Sequence, residues 1–139
     1  MASIMNARLD MAPNRTTQTV DVAVTCEVHF TEKEVAQMGR KPGLMHFSLY
    51  CWLYGHDAAH PKLKGLQDEL YAFPSRVLPS DGPAPMEEVA FEATLSQGLL
   101  NEDIVGSDEI YGRLVLRGWI GFKGLQESAK TNVVSYAFA

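Results

Sequence analysis

The sequence predicts an all-β fold: a single antiparallel β-sandwich with at most one or two short helical turns. Two observations predict it. Residues 20–30 alternate strictly, with Val20, Val22, Val24, Cys26, Val28 and Phe30 on one face and Asp21, Thr25, Glu27 and His29 on the other. Period two, rich in β-branched side chains, is the signature of a strand with one buried face. Further alternating runs follow, separated by loops rich in Gly, Pro, Asn and Asp, and no helical period of ten or more residues links them. A parallel sheet built from βαβ units is therefore excluded.

The chain of 139 residues fits one domain, and 46% hydrophobic with 21% charged residues is an ordinary globular balance. A chain of this length buries roughly two-thirds of its unfolded surface, so neither metal nor disulfide is required to hold it. The net charge of −5, from 12 basic and 17 acidic residues, argues against a generic nucleic-acid binder. No run approaches the ~18 apolar residues of a membrane span. The N-terminal residues lack a continuous apolar core, since Asn6, Arg8, Asp10, Asn14 and Arg15 interrupt them. The expected location is cytoplasmic, or outside the cell without a cleaved signal peptide.

Residues 1–18 show no clear period and end in the polar run Asn14-Arg15-Thr16-Thr17-Gln18. They are expected to form an arm, flexible or docking on a partner, ahead of a sandwich domain over residues 19–139. After the strand at 20–30, Thr31 and Glu34 have the spacing of a capping box, with Phe30 and Val35 flanking it, so a short helix ending near Gly39 is predicted. The turn at 39–43 leads to a strand over 44–54. Phe47, Leu49, Cys51 and Leu53 share its inner face; Tyr50, Trp52 and Tyr54 share the other, which is unusually aromatic for a solvated surface.

A polar loop spans 55–61, a short strand is expected near 70–73, and the prolines at 79, 83 and 85 mark a long surface connection. The next strand begins at Glu87, with Val89, Phe91, Ala93 and Leu95 facing in. Another runs over 109–117, with Ile110, Gly112, Leu114 and Leu116 on one side. A glycine-punctuated turn carries Trp119 and Phe122, and a last strand is expected over 131–138.

Between these two strands lies an acidic turn, Asn101-Glu102-Asp103 followed by Asp108-Glu109. Hard cations take oxygen ligands of this kind. Over residues 88–117 the chain resembles the C2-domain family of Ca²⁺- and phospholipid-binding β-sandwiches. Val89 to Leu95 stands for the core strand, Asn101-Glu102-Asp103 for the acidic triplet, Asp108-Glu109 for the second pair, and Ile110-Tyr111-Gly112 for the glycine strand. The resemblance implies a sandwich fold and a Ca²⁺ site at Asp103, Asp108 and Glu109. The family's other acidic loop has no counterpart, because residues 37–43 are basic and carry no carboxylate. The residues themselves also make a good hydrogen-bonded turn without a cation.

His56 and His60 stand four apart, a zinc-chelating spacing on a helix, but Asp57 replaces the general-base glutamate and Pro61 ends any helix. Cys26 and Cys51 fall on inward strand faces and are expected to be inert core thiols. Trp119 and Phe122 either close the end of the sandwich or stand exposed as anchors for a partner.

Three function classes compete. The leading one is a non-catalytic binding or assembly module, using Tyr50, Trp52, Tyr54, Trp119 and Phe122, with a protein partner or as a homo-oligomer and with no cofactor. The second is a Ca²⁺-dependent lipid- or carbohydrate-binding module of C2 type. The third is a small enzyme with His46, His56 or His60 as base.

Overall fold

A computed structural model describes residues 1–40, 45–56, 67–100 and 108–136. The chain is a β-sandwich of two antiparallel sheets. The smaller sheet has the order β1 (Ser3–Asn14), β2 (Thr19–His29), β6 (Met86–Ser96). The larger is centred on β3 (His46–His56) and β7 (Asp108–Trp119). On the far side of β3 lie β4 (Gln67–Ala72) and β5 (Arg76–Leu78); on the far side of β7 lie β8 (Gln126–Lys130) and β9 (Val134–Tyr136). Among the described residues, helical structure is confined to α1 (Glu32–Arg40), the four-residue α2 (Gln97–Leu100) and a 3-10 turn at Ile120–Phe122.

The core lies between the sheets, where alternation sends it. Val20, Val22, Val24, Cys26 and Val28 of β2, with Val89, Phe91 and Leu95 of β6, are buried against Phe47, Leu49, Cys51 and Leu53 of β3 and Ile110, Leu114 and Leu116 of β7. The ring of Phe47 stacks on Phe122 at 4.6 Å and lies 5.3 Å from Phe30.

The N-terminal segment is a correction to the expected arm. Ser3–Asn14 is the edge strand β1, paired with β2 along its length, and the polar run after it is the hairpin turn, where Asn14 Oδ1 accepts from Thr16 N and Thr17 N. Its period was hidden by a bulge. The register shifts between Met5 and Arg8, and Asn6 sits at φ 54°, a left-handed conformation asparagine tolerates. Ala2 and Ile4 face the core before the bulge; Ala7, Leu9 and Met11 face it afterwards. One extra residue moves the apolar positions from even to odd. Strand β8 also gave no signal, because its inward positions are Glu127 and Ala129 at a sheet border.

The predicted capping box is present: Thr31 N donates to Glu34 Oε1 at 2.8 Å, and Glu34 N donates to Thr31 Oγ1 at 3.2 Å. Glu34 does more than cap. It is buried, and its second oxygen accepts from Ala2 N at 3.0 Å, tying the start of β1 to the start of α1.

Both edges of the smaller sheet are fastened to the larger one by side chains. On β1, the Asn132 amide pairs with Leu9 as a strand would, accepting from Leu9 N at 2.8 Å and donating to Leu9 O at 3.1 Å. On β6, Arg76 donates to Ala90 O at 3.0 Å while its guanidinium sits 5.4 Å from the Phe91 ring centre. Thr131 and Gly112 exchange a further pair of bonds, Gly112 N donating to Thr131 Oγ1 at 2.7 Å and Thr131 N to Gly112 O at 2.9 Å.

Cys26 and Cys51 are free thiols inside the sandwich. Burial pushes Cys26 up to about 11 and Cys51 up to about 12, from an ordinary 9.0.

Two outcomes follow from this packing. Glu34→Ala should lower unfolding free energy by about 2–3 kcal/mol in urea titration, since it strands the buried Ala2 N–H and removes the cap; Glu34→Gln, able to accept one of those bonds, should cost less. The thiols should label slowly in the native protein and fully after unfolding. Their raised folded values also fix a sign: their contribution is intact below about pH 9 and is lost as pH climbs through about 11 and 12, because only the unfolded chain ionises in that window. Rapid native labelling of either cysteine contradicts the packing described.

Candidate interaction surface

What the core excludes, the outer faces display. On the outside of the larger sheet, register sets Trp52 beside Arg113 and Arg113 beside Lys130; Tyr50 beside Val115; Ser48 beside Arg117; and Tyr54 beside Tyr111. The rings of Tyr50 and Trp52 stack at 5.9 Å with an interplanar angle of 13°, and those of Tyr54 and Tyr111 at 5.8 Å and 18°. Lys130 Nζ lies 5.3 Å from the Tyr111 ring centre, a cation–π contact. Burial and the neighbouring Tyr54 phenol push Tyr111 above the usual tyrosine range.

Tyr50, Trp52 and Tyr54 are half-buried, while Arg113, Arg117 and Lys130 are exposed. With Glu69, Val115 and Gln126, the three aromatics and two arginines line a shallow trough of about 450 Å³. The predicted aromatic face of β3 is therefore real. Its arginines were missed because they belong to β7, where the sequence showed only the outward half of an ordinary alternation.

One end of this face is built by the hairpin from β7 to β8. Gly118 N donates to Leu125 O at 2.9 Å, and Lys123 N to Ile120 O at 3.0 Å. A Cβ on Gly118 would collide with the Phe122 carbonyl oxygen, so glycine is needed there; one on Gly121 would meet the flexible end of the Met45 side chain, which would have to move aside. This close turn drives Phe122 inward and presents its two preceding side chains outward. Trp119 is 37% exposed and donates from Nε1 to Ser48 Oγ at 2.9 Å; its ring stacks over His46 at 6.5 Å. Ile120 is 62% exposed at φ 59°. A β-branched residue in the left-handed region is strained, and here no burial offsets it. Exposed Val77 lies beside Ser48 on the same face.

Phe122, expected among the contact residues, is instead a core plug at 3% exposure. Ile120 was the residue missed, because only backbone geometry distinguishes it from its neighbours.

The outer face of the smaller sheet differs in kind. Its rows are Asp10–Ala23–Glu92, Ala12–Asp21–Thr94, Arg8–Thr25–Ala90 and Met5–Glu27–Glu88. Arg8 pairs with Asp10 at 3.2 Å, Thr94 Oγ1 donates to Asp21 Oδ1 at 2.7 Å, and the imidazole of His29 lies 3.0 Å from Glu27 Oε1. The His29 and Asn6 contacts hold the Glu27 carboxyl below its usual range. Asp10, Asp21 and Glu92 border a trough of about 470 Å³ floored by Ala12 and Ala23.

Of the predicted cation ligands, Asp103 lies outside the described residues, Asp108 opens β7, and Glu109 follows it in register with His56 and Ser135. His60 also lies outside the described residues. Among the described residues, no group of three or more His, Cys, Asp or Glu side chains is placed to hold a metal. No helix among them is long and apolar enough to cross a membrane.

No protein-family profile and no curated protein sequence matches the chain. Among solved structures, the sporulation control protein Spo0M from Bacillus subtilis aligns with 96% of this chain and 48% of its own, at 14% identity and a TM-score of 0.39. The chain thus spans about half the length of that structure.

The strained hairpin yields a direct test. Ile120→Gly should raise the unfolding free energy by about 1 kcal/mol, because the left-handed position ceases to be strained and little apolar contact is lost. Gly118→Ala should lower it and disturb Phe122. A melting temperature that falls for Ile120→Gly contradicts the strain assigned to the hairpin.

Proposed function

We propose that this protein is a non-catalytic β-sandwich module for protein binding and assembly, and that its contact surface is the outer face of the larger sheet. One observation carries the reading: Tyr50, Trp52 and Tyr54 interleave with Arg113 and Arg117 on the outside of the fold. Tyrosine, tryptophan and arginine are the residues enriched where proteins bind one another, and they supply most of the energy there. A face serving only solvation needs none of them. The strained, exposed Ile120 beside Trp119 points the same way, since strain kept without burial serves something other than stability.

Catalysis is the weaker reading. Both thiols are inside and held protonated, and His29 is engaged by Glu27. A reducing compartment, consistent with two unbridged cysteines, suits the module. Single-stranded nucleic acid also uses aromatic platforms beside cations. Here the net charge of −5 and the carboxylates of Glu69 and Glu109 on the same sheet face favour a protein partner instead.

Selection of a random peptide library on the purified protein tests the reading. Peptides should be enriched that pair acidic residues with an apolar anchor. Trp52→Ala should weaken them by at least about 2 kcal/mol, roughly 30-fold in affinity. Enrichment indifferent to Trp52→Ala and Arg113→Ser contradicts the proposal, as does tight, salt-sensitive binding of oligothymidylate at the same face.

A further inference from the structure

The two outer faces are complementary to each other. We infer that the partner of the aromatic face is a second copy of this chain, docked head to tail through the acidic outer face of its smaller sheet. This inference rests on the binding role proposed above and names its partner.

Charge is the first ground. On the larger sheet's outer face, Arg113, Arg117 and Lys130 gather along the middle, while the carboxylates Glu69 and Glu109 stand toward its Tyr54 end. The smaller sheet's outer face carries Asp10, Asp21, Glu27, Glu88 and Glu92 against the single permanent cation Arg8. Opposite fields of this kind steer encounter and fix register, and like faces repel.

Shape is the second. The basic face presents large side chains. The acidic face is floored by Ala12 and Ala23, with Asp10, Asp21 and Glu92 around a trough of about 470 Å³. An arginine or tryptophan entering it meets no bulky side chain on the floor, and carboxylates at the rim. Arg–carboxylate pairing adds direction.

The third ground is what is closed off. Association by strand addition needs a free sheet edge. At mid-strand, Asn132 bonds Leu9 of β1 and Arg76 bonds Ala90 of β6, which interrupts a continuous added strand at either edge of the smaller sheet and leaves its face uninterrupted. Strands of 11 residues in a three-stranded sheet give a face of about 36 Å by about 14 Å. That is about 500 Å² in projection, and more with side-chain relief, near the lower end for specific interfaces of about 600 Å² per partner. The contact is therefore weak, concentration-dependent and sensitive to salt. Because different faces meet, it does not close at a dimer: it propagates as a filament, or as a ring if the rotation permits.

Sedimentation or light scattering over about 5–500 µM protein, at about 20 mM and about 500 mM salt, reads the outcome. The weight-average mass should climb above 15.4 kDa with concentration at low salt, pass the dimer without a plateau there, level off only if a larger ring closes, and fall back at high salt. Two variants separate the faces: Arg113→Ser with Arg117→Ser, and Asp21→Asn with Glu92→Gln. All four positions are exposed, so each variant should keep the parent melting temperature within a few degrees. Each alone should be monomeric. Their equimolar mixture should form a 1:1 heterodimer and stop, since one variant retains only the acidic face and the other only the basic face. A parent that stays monomeric throughout overturns the inference, as does a mixture that stays monomeric, or an assembly abolished by one variant and untouched by the other. If peptides still select the Trp52 face while the parent stays monomeric, the binding role stands and only the second copy is wrong. Peptides that ignore that face remove the binding role itself.

Discussion

Burial of two apolar rows against each other is the constraint on which everything else depends. Val22, Val24, Val89 and Phe91 from the smaller sheet meet Phe47, Leu49, Leu114 and Leu116 from the larger. A strand has only two faces, so committing one to the core commits its neighbours to display. The outer surfaces are therefore consequences of the core register. A slip of one residue in β3 would put Tyr50, Trp52 and Tyr54 inside and Leu49, Cys51 and Leu53 in water. The aromatic outer face and the core are set by a single choice.

The stitches between the sheets refine that choice. Asn132 on Leu9, Arg76 on Ala90 and Glu34 on Ala2 are all long-range contacts made by polar side chains to backbone. Each satisfies a main-chain group that a sheet border or chain terminus leaves without a ladder partner. They also restrain sheet-to-sheet association, because an occupied strand edge does not recruit another strand. Stability and solubility are served by the same bonds.

The β7–β8 hairpin shows the opposite arrangement. Gly118 permits a close approach to the Phe122 backbone, Phe122 anchors the turn against Phe47, and the strain falls on Ile120. Under the proposed binding role, a rigid base with an exposed, strained tip would hold a contact residue in place before its partner arrives, which reduces the ordering that binding must accomplish. The acidic and basic faces have a comparable economy. In the inferred assembly each supplies one half of the contact without needing new structure, and the sandwich between them holds the two halves at a fixed orientation.

Much of this was legible in the residues alone. Period two in β2, β3, β6 and β7 determined the fold class and the inner rows. The Thr31–Glu34 spacing determined the helix start, and the aromatic outward face of β3 was read from its own alternation. These are local signals, since propensity, capping and alternation act between near neighbours. Tertiary structure decided the rest. Strand β1 was concealed by a bulge that reversed the parity of its apolar residues, and β8 by its place at a sheet border. Phe122 was drawn into the core, and Ile120 put out in its stead, by a turn that brings Gly118 against Phe122 and Gly121 against Met45. The gathering of Asp10, Asp21 and Glu92 on one face and of Arg113, Arg117 and Lys130 on the other depends on which strands pair and in what register. Those residues are far apart in the chain, and pairing is a free-energy contest among all strands at once, so no local pattern encodes it.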